Sequence, residues 1–257
     1  MKSFKTKIIA ISNQKGGVGK TTSAVNIASF LAITETPTLL IDMDPQANAS
    51  TGLGININNK KSIYDVMINN VNIQDCILST GIDFLDIVPS HNKLSGAEIE
   101  LVSMFTRESV LKESMHSILG KYKYIIIDCP PSLGLLTINV LTASNSLIIP
   151  IQCEYYALEG LSQLLNTIRL VQKNLNPNLV IEGILITMFD SRLNLSQQIV
   201  NEVKEYFNEK VYKTIINRNV RLGEAPSHGK PILLYDPTST GSQNYMNLVT
   251  EILNNNG

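Results

Sequence analysis

The stretch Lys7-Ile-Ile-Ala-Ile-Ser-Asn-Gln-Lys-Gly-Gly-Val-Gly-Lys-Thr-Thr22 decides the fold of this chain. Its apolar run Lys7–Ser12 predicts a buried strand, and a helix is predicted over Thr21–Ala32. Between them lies a glycine-rich loop. Glycines let a backbone approach phosphate closely, and a helix N-terminus presents N–H groups and partial positive charge to an anion. Strand, loop and helix in this order predict a nucleotide-phosphate site.

Two side chains of the loop carry the expected chemistry. Lys20 is placed to reach the β- and γ-phosphates, and the Thr21 hydroxyl is placed to hold Mg²⁺. The general P-loop pattern has a glycine five residues before Gly19, where this chain has Gln14, followed by the extra lysine Lys15. The predicted phosphate-binding residues are Lys15, Gly16, Gly17, Val18, Gly19, Lys20, Thr21 and Thr22.

Further apolar runs without in/out alternation predict parallel strands that are covered on both faces. They are Thr38–Asp42, Phe84–Pro89, Tyr124–Asp128, Leu147–Ile151 and Glu182–Met188. Helices are predicted at Ser95–Leu119 (broken or kinked), Gly134–Ala143, Leu158–Leu175, Ser196–Phe207 and Gly241–Leu253. The alternation predicts an α/β fold with a doubly wound, mostly parallel sheet flanked by helices. We expect one domain over residues 1–257, with 254–257 as a frayed tail.

Composition narrows the possible classes of protein. With 257 residues, 44% of them apolar, the chain is expected to bury a large core without disulfides, and its three cysteines form no Cys-x-x-Cys pair. No stretch approaches the roughly 18 apolar residues that span a bilayer. We therefore expect a cytoplasmic protein. The net charge of −1 means that any DNA binding depends on a local patch.

Carboxylates end two of the predicted strands, at the edge where open α/β sheets bind ligands. Asp42 and Asp44 follow one strand, and on an extended chain they would point the same way. One could hold a water on Mg²⁺ and the other could orient the attacking water. Asp128 ends the second strand, before Cys129-Pro-Pro-Ser132, in the Walker B arrangement. Its carboxylate is expected to reach Mg²⁺ through water.

The loop Lys15-Gly-Gly-Val-Gly-Lys-Thr-Thr22 resembles the deviant Walker A motif of the ParA/MinD group of ATPases. The resemblance extends over about Lys7–Leu253 and implies a P-loop NTPase fold. It also implies ATP-dependent dimerisation, in which Lys15 reaches the phosphates of the partner subunit's ATP. Asp44, in a switch I region, is implied as the residue most needed for hydrolysis. The implied cofactors are ATP or ADP and Mg²⁺. The catalytic residues are then Lys15, Lys20, Asp44 and Asp128, and the metal site is Thr21, Asp42, Asp44 and Asp128.

The segment Val211–Pro231 resembles chromosomal ParA proteins of the Soj type, in which this stretch lines the adenine. Asn217 and Asn219 take the matching positions. The family usually has proline at the first of them, so Asn217 departs from the pattern.

The same third of the chain is implied to bind DNA. Residues 187–230 hold seven basic and five acidic side chains, a difference of +2. Resemblance to Soj-type proteins singles out Arg192 and Arg221, and Arg218 and Lys230 belong to the same basic set. Phosphate contacts need local charge and no base reading, so this patch predicts non-specific DNA binding.

The leading interpretation is a ParA/Soj-type partitioning ATPase for a chromosome or a plasmid. The resemblance implies an ATP-driven homodimer that holds DNA on the nucleoid, and release when a ParB-like protein stimulates slow hydrolysis through its basic N-terminal peptide. The alternative is a MinD-like membrane-surface ATPase, which needs a basic amphipathic C-terminal helix. Asn244–Asn254 has an apolar face but no lysine or arginine, so no membrane partner is expected. A reductase related to nitrogenase iron protein would need cluster cysteines in glycine-rich settings, which Cys129 and Cys153 lack.

Overall fold

A computed structural model describes residues 4–154 and 159–256 of the chain. The strands, in chain order, are β1 (Lys7–Ile11), β2 (Thr38–Asp42), β3 (Leu78–Ser79), β4 (Leu85–Val88), β5 (Tyr124–Asp128), β6 (Ser146–Gln152) and β7 (Val180–Thr187). They form one sheet in the order β3-β4-β2-β5-β1-β6-β7. Every pairing is parallel except β3 with β4. The predicted doubly wound, mostly parallel sheet is confirmed.

The α-helices, in chain order, are α1 (Lys20–Ile33), α2 (Asn48–Gly52), α3 (Ile63–Asn69), α4 (Leu94–Leu101), α5 (Val110–Ser114), α6 (Leu135–Ala143), α7 (Glu159–Asn174), α8 (Asn194–Phe207), α9 (Val220–Glu224), α10 (Ile232–Tyr235) and α11 (Thr240–Asn255). Short 3₁₀ turns cover Ile73–Cys76, Met115–Ile118, Asn208–Lys210 and Ala225–His228. No helix within residues 4–154 and 159–256 is long and apolar enough to cross a membrane.

Side chains of the central strands pack into two apolar cores, one on each face of the sheet. In β1, Ile8 and Ala10 belong to one core, and Ile9 and Ile11 belong to the other. Because alternate side chains of a strand point to opposite faces, both sets are apolar when helices cover both faces. This explains why the strand sequences show no polar alternation.

Three predictions about element boundaries are corrected or limited by the structure. The expected helix over Ser95–Leu119 is broken, as predicted, into α4, α5 and a 3₁₀ turn. The frayed tail is wrong as far as Asn256, because α11 continues to Asn255 and the Asn256 side chain donates to Glu182 at 2.9 Å. The predicted start of α7 at Leu158 lies outside the described residues. Sequence patterns also missed β3, which is only two residues long, and the short helices α2, α3, α9 and α10.

Candidate nucleotide-binding site

The phosphate loop joins β1 to α1 at the carboxyl edge of the sheet. Gly17 and Gly19 have φ values of +75° and +86°, a left-handed conformation that favours glycine. Gly19 precedes α1, and no side chain caps this helix. Its first N–H groups are therefore free to bind an anion, as predicted for a P-loop. Behind the loop, the Thr187 hydroxyl donates to the Val18 carbonyl at 2.9 Å and ties the loop to β7.

The two lysines of the loop lie in different surroundings. The Lys20 side chain is buried, and its Nζ donates to the Lys15 carbonyl oxygen at 2.9 Å. Burial lowers the pKa of Lys20, and the nearby carboxylate of Asp128 opposes that shift. Lys15 instead extends to the surface, where its Nζ pairs with Glu154 at 3.0 Å. Lys20 lines the cavity that opens above the loop, called the phosphate cavity below, and the Lys15 side chain does not line it.

The phosphate cavity has a volume of about 280 Å³ and opens above the loop. Its lining residues are Gly16, Gly17, Gly19, Lys20, Thr21, Thr22, Asp44, Gln46, Asn48, Pro131 and Met188. It therefore brings together the lysine and hydroxyls of the loop, one carboxylate after β2 and the proline turn after β5. The lysine, the hydroxyls and Asp44 are groups that sequence reasoning assigned to phosphate and metal binding, whereas Pro131 was not among them.

Asp42 and Asp44 do not act as a matched pair, which corrects the expectation that they point the same way. Asp42 is the last residue of β2 and is fully buried. Its Oδ2 accepts from the Ser50 backbone N at 2.8 Å and from the Ser50 hydroxyl at 2.7 Å, and its Oδ1 accepts from the Asp44 backbone N. Only Asp44 lines the phosphate cavity. The strand ends at Asp42, so the extended geometry behind the expectation does not continue.

Asp128 has the surroundings expected of a metal-binding carboxylate. It pairs in register with Asp42 on the neighbouring strand, at the carboxyl edge. Both of its oxygens are buried, and neither makes a hydrogen bond of good geometry within residues 4–154 and 159–256, although the nearby Thr21 hydroxyl opposes the rise in its pKa. Burial, and then the charge of Asp42, raise the pKa of Asp128 well above its usual range. Buried polar groups are normally satisfied, so this carboxylate fits a site for hydrated Mg²⁺ beside Thr21.

A second compartment of about 220 Å³ adjoins the phosphate cavity and shares Gly19, Thr22 and Met188 with it. Asn217 and Asn219 line this compartment together with Ile216, Leu222 and Tyr245. The two compartments together reach the size range of small-molecule pockets. The structure thus brings the two asparagines next to the loop, about 200 residues away in sequence.

Comparison with known proteins decides the family. A family model described as an AAA domain matches residues 6–181. The sporulation initiation inhibitor protein Soj of Bacillus subtilis is 58% identical over 97% of this chain and 99% of its own length. The chromosome partitioning protein ParA of Myxococcus xanthus is 54% identical over 96% of this chain and 88% of its own. The chain belongs to the ParA/Soj family of partitioning ATPases.

A solved structure agrees with this family in its fold. Cobyrinic acid a,c-diamide synthase from Mycobacterium smegmatis, crystallised with ADP and magnesium, superposes with a TM-score of 0.85. The match is 33% identical and covers 96% of this chain and 94% of that protein. The same enzyme was also crystallised with an ATP analogue and magnesium. The P-loop NTPase fold expected from the sequence is confirmed.

The arginines singled out by resemblance to Soj-type ParA proteins lie on the surface but are paired with acids. Arg192 makes a two-pronged pair with Asp190, through Nε at 2.9 Å and Nη2 at 2.6 Å. Arg221, on α9, pairs with Glu224 at 2.9 Å and with Asp236 at 3.5 Å. Asp190 and Glu224 are already counted in the difference of +2, and Asp236 lies outside residues 187–230; the ion pairs show that neither Arg192 nor Arg221 is a free cation.

The other two residues of the basic set are placed differently. Arg218 is exposed, and its charge contributes to lowering the pKa of Asp190 after the larger effect of Arg192. Lys230 lines a third cavity of about 250 Å³, which shares Thr21, Thr22 and Asn48 with the phosphate cavity. Because Arg192 and Arg221 are ion-paired, the four basic residues of this ParA/Soj protein do not form one cluster of unpaired charge.

Several residues that shape the site were missed by sequence reasoning. Glu154 holds the Lys15 ammonium, Ser50 holds Asp42, and Thr187 holds the loop at Val18. Asn13 accepts from the Lys15 backbone N at 3.0 Å, and its position inside the loop is the only sequence signal among them. The contacts of Glu154 and Thr187 span well over one hundred residues, so no local pattern could have shown them.

Proposed function

We propose that this chain hydrolyses Mg²⁺-ATP as one half of a symmetric dimer and that the dimer holds DNA until hydrolysis releases it. The observation that carries the proposal is the separation of the two loop lysines. Lys20 lies buried at the phosphate cavity, whereas the Lys15 ammonium points away to Glu154 on the surface. A cation on the loop that does not serve its own cavity is placed to serve the cavity of a second copy.

The proposed site assigns a task to each residue. Lys20, the free N–H groups of α1 and the hydroxyls of Thr21 and Thr22 bind the phosphates. Thr21 and Asp128 would hold Mg²⁺, with Asp44 beside it and Asp42 behind, fixed by Ser50. Mg²⁺ held by these residues would neutralise negative charge on the bound phosphates. Asp44, the carboxylate that lines the cavity, orients the attacking water. Lys15 of the second copy stabilises the charge on the transferring phosphoryl group.

DNA binding follows from the dimer in this proposal. Each copy contributes Arg192, Arg218, Arg221 and Lys230, so dimerisation doubles the number of cations that contact phosphates. Releasing more counterions steepens both the affinity and its salt dependence. When DNA binds, Arg192 and Arg221 exchange their carboxylate partners for DNA phosphates. A ParB-like partner speeds hydrolysis through its basic N-terminal peptide, and binding to DNA places the dimer on the nucleoid.

The membrane alternative finds no support in the placement of α11. A MinD-like protein would need the apolar face of this helix to enter a lipid surface. Tyr245, Leu248, Val249 and Ile252 are instead buried in the core, where α11 packs against α1. The helix carries no lysine or arginine to attract anionic lipid.

Analytical ultracentrifugation of the full chain tests the proposal. With Mg²⁺-ATP the wild type is expected to sediment as a dimer and to bind DNA, whereas with ADP it stays monomeric. Lys15→Ala removes the cation that crosses to the second copy, so it should bind ATP but lose dimerisation and DNA binding. Lys61→Ala is the matched control, because Lys61 also pairs with one surface carboxylate, Asp75, at 3.5 Å. A Lys15→Ala protein that dimerises like the control would refute the assignment.

A further inference from the structure

We propose that Asn244 of α11 is a positioning residue that gives the second compartment, lined by Asn217 and Asn219, a preference for adenine over guanine. It acts by fixing the orientation of the Asn217 side-chain amide, and it does not line the compartment itself. The inference rests on the proposed binding of ATP, with the base in the compartment beside the phosphate cavity.

The amide of Asn244 can have only one orientation in this arrangement. Its Oδ1 lies 3.0 Å from the backbone N of Asn217 and 3.1 Å from the Asn217 Nδ2. A backbone N–H only donates, so the atom that faces it must be the carbonyl oxygen. The same oxygen then accepts from the Asn217 Nδ2. This bond takes one of the two N–H groups of the Asn217 amide, fixes the direction of that amide and leaves its Oδ1 as an acceptor.

The second asparagine is fixed by the same logic with the opposite result. Asn219 precedes α9, and its Oδ1 accepts from the Arg221 backbone N at 2.8 Å. This bond caps the helix N-terminus, where an oxygen is required. This bond directs the oxygen of Asn219 to the helix and leaves its Nδ2 as a donor. No partner for Asn217 Oδ1 or Asn219 Nδ2 is found within residues 4–154 and 159–256.

Among the lining side chains, the Asn217 Oδ1 is thus left as an acceptor for a base and the Asn219 Nδ2 as a donor. Adenine presents the complementary pair on one edge, the N6 amino donor and the N7 acceptor, whereas guanine presents two acceptors, O6 and N7. With guanine, the Asn217 oxygen would face O6, and both acceptors would stay unpaired in a confined site. The pattern that Asn244 fixes thus fits adenine and opposes guanine.

The place of Asn244 in the fold is firmly held. The next residue, Tyr245, is buried, and its hydroxyl lies 3.0 Å from the Ser23 hydroxyl in α1. Because α1 begins at the phosphate loop, α11 and the loop are held in one packed unit. A rigid support lets a side chain outside the compartment control the direction of one inside it.

Isothermal titration of the full chain with Mg²⁺-ATP and Mg²⁺-GTP measures the preference as the ratio of the two Kd values. Asn244→Leu removes the acceptor and frees the Asn217 amide to rotate. We expect the preference for ATP to fall by about tenfold, mainly through weaker ATP binding. Asn244→Asp keeps an oxygen that accepts both bonds, so it should retain the preference. Asn247→Leu makes the same change at an exposed position of α11 and should change nothing.

Asn217→Ala keeps the proposal testable if Asn244→Leu does not fold. It should lose the same preference, and adding Asn244→Leu to it should have no further effect. An unchanged ratio in either folded single variant would overturn the inference, as would a wild type that binds both nucleotides equally. A loss in Asn244→Asp as large as that in Asn244→Leu would also overturn it. A wild type that binds neither nucleotide would instead refute the proposed function.

Discussion

The support of Asp42 by Ser50 gives a prediction whose size follows from the contacts. The Ser50 hydroxyl donates to the Asp42 carboxylate at 2.7 Å and accepts from the Ser90 backbone N at 3.0 Å. Ser50, Asp42 and Ser90 are all fully buried. Ser50→Ala therefore removes a hydrogen bond to a carboxylate, worth about 1.5–3 kcal/mol. It also leaves the buried Ser90 N–H without its acceptor, at a cost of about 1–3 kcal/mol. The expected loss is roughly 3–5 kcal/mol in the free energy of unfolding.

The same variant has an expected pH dependence. Burial raises the pKa of Asp42 to about 6, and the bonds from Ser50 oppose that rise. The hydroxyl stabilises the charged carboxylate, so its loss raises the pKa further and costs most where Asp42 is ionised. The difference in stability between wild type and Ser50→Ala should therefore be largest above about pH 7. It should shrink as the pH falls through the folded pKa.

Urea unfolding from pH 5 to pH 8, without nucleotide, measures both effects. Thr51→Val is the matched control, because it removes the neighbouring hydroxyl of α2, which is exposed and bonds only to the Ala47 carbonyl. We expect this control to change stability by less than about 0.5 kcal/mol. A loss below about 1 kcal/mol for Ser50→Ala, or a loss that does not vary with pH, would refute the reasoning.

Three further predictions concern the proposed activity. Asp44→Ala should bind ATP but lose hydrolysis and accumulate as a DNA-bound dimer; a normal rate of phosphate release would remove Asp44 from its proposed role. Arg221→Ala should keep ATP-driven dimerisation but reduce the salt dependence of DNA binding: the magnitude of the slope of log K for DNA against log salt should fall by about two per dimer. Arg169→Ala, on α7, is the control. Equal slopes for the two variants would remove Arg221 from the DNA-binding patch. Lowering the pH should weaken Mg²⁺-ATP binding, because the raised pKa of Asp128 lets protons compete for the metal-binding carboxylate; titration in matched buffers should show weaker binding for the wild type, and Asp128→Asn should show a smaller pH dependence.

Most of the fold and much of the phosphate site could be predicted from the sequence. The strand β2 and the strand β5 lie where the apolar runs placed them. These strands are buried on both faces, so most of their residues are apolar. The apolar run is therefore visible in the sequence without knowing which strands pair. The glycines and Lys20 of the loop are equally local, because their conformation and spacing alone create an anion site. The edge strand β3 was missed because two residues carry no periodic signal.

Tertiary structure decided the tasks of side chains that look alike in the sequence. Asp42 and Asp44 are two residues apart, yet one is bonded to Ser50 and the other faces the cavity. The ion pairs of Arg192 and Arg221 differ from this case, because Asp190 and Glu224 lie only two and three residues away along the chain.

The sequence by itself determined the central strands, the phosphate loop and the family, because each strand and the loop depend on residues that are close along the chain. Only the tertiary structure decided that Lys15 points to Glu154, that Asp128 is buried without a partner and that Asn244 orients Asn217. The physical reason is that hydrogen bonds and desolvation act between groups that are close in space, and here distant parts of the chain supply those groups.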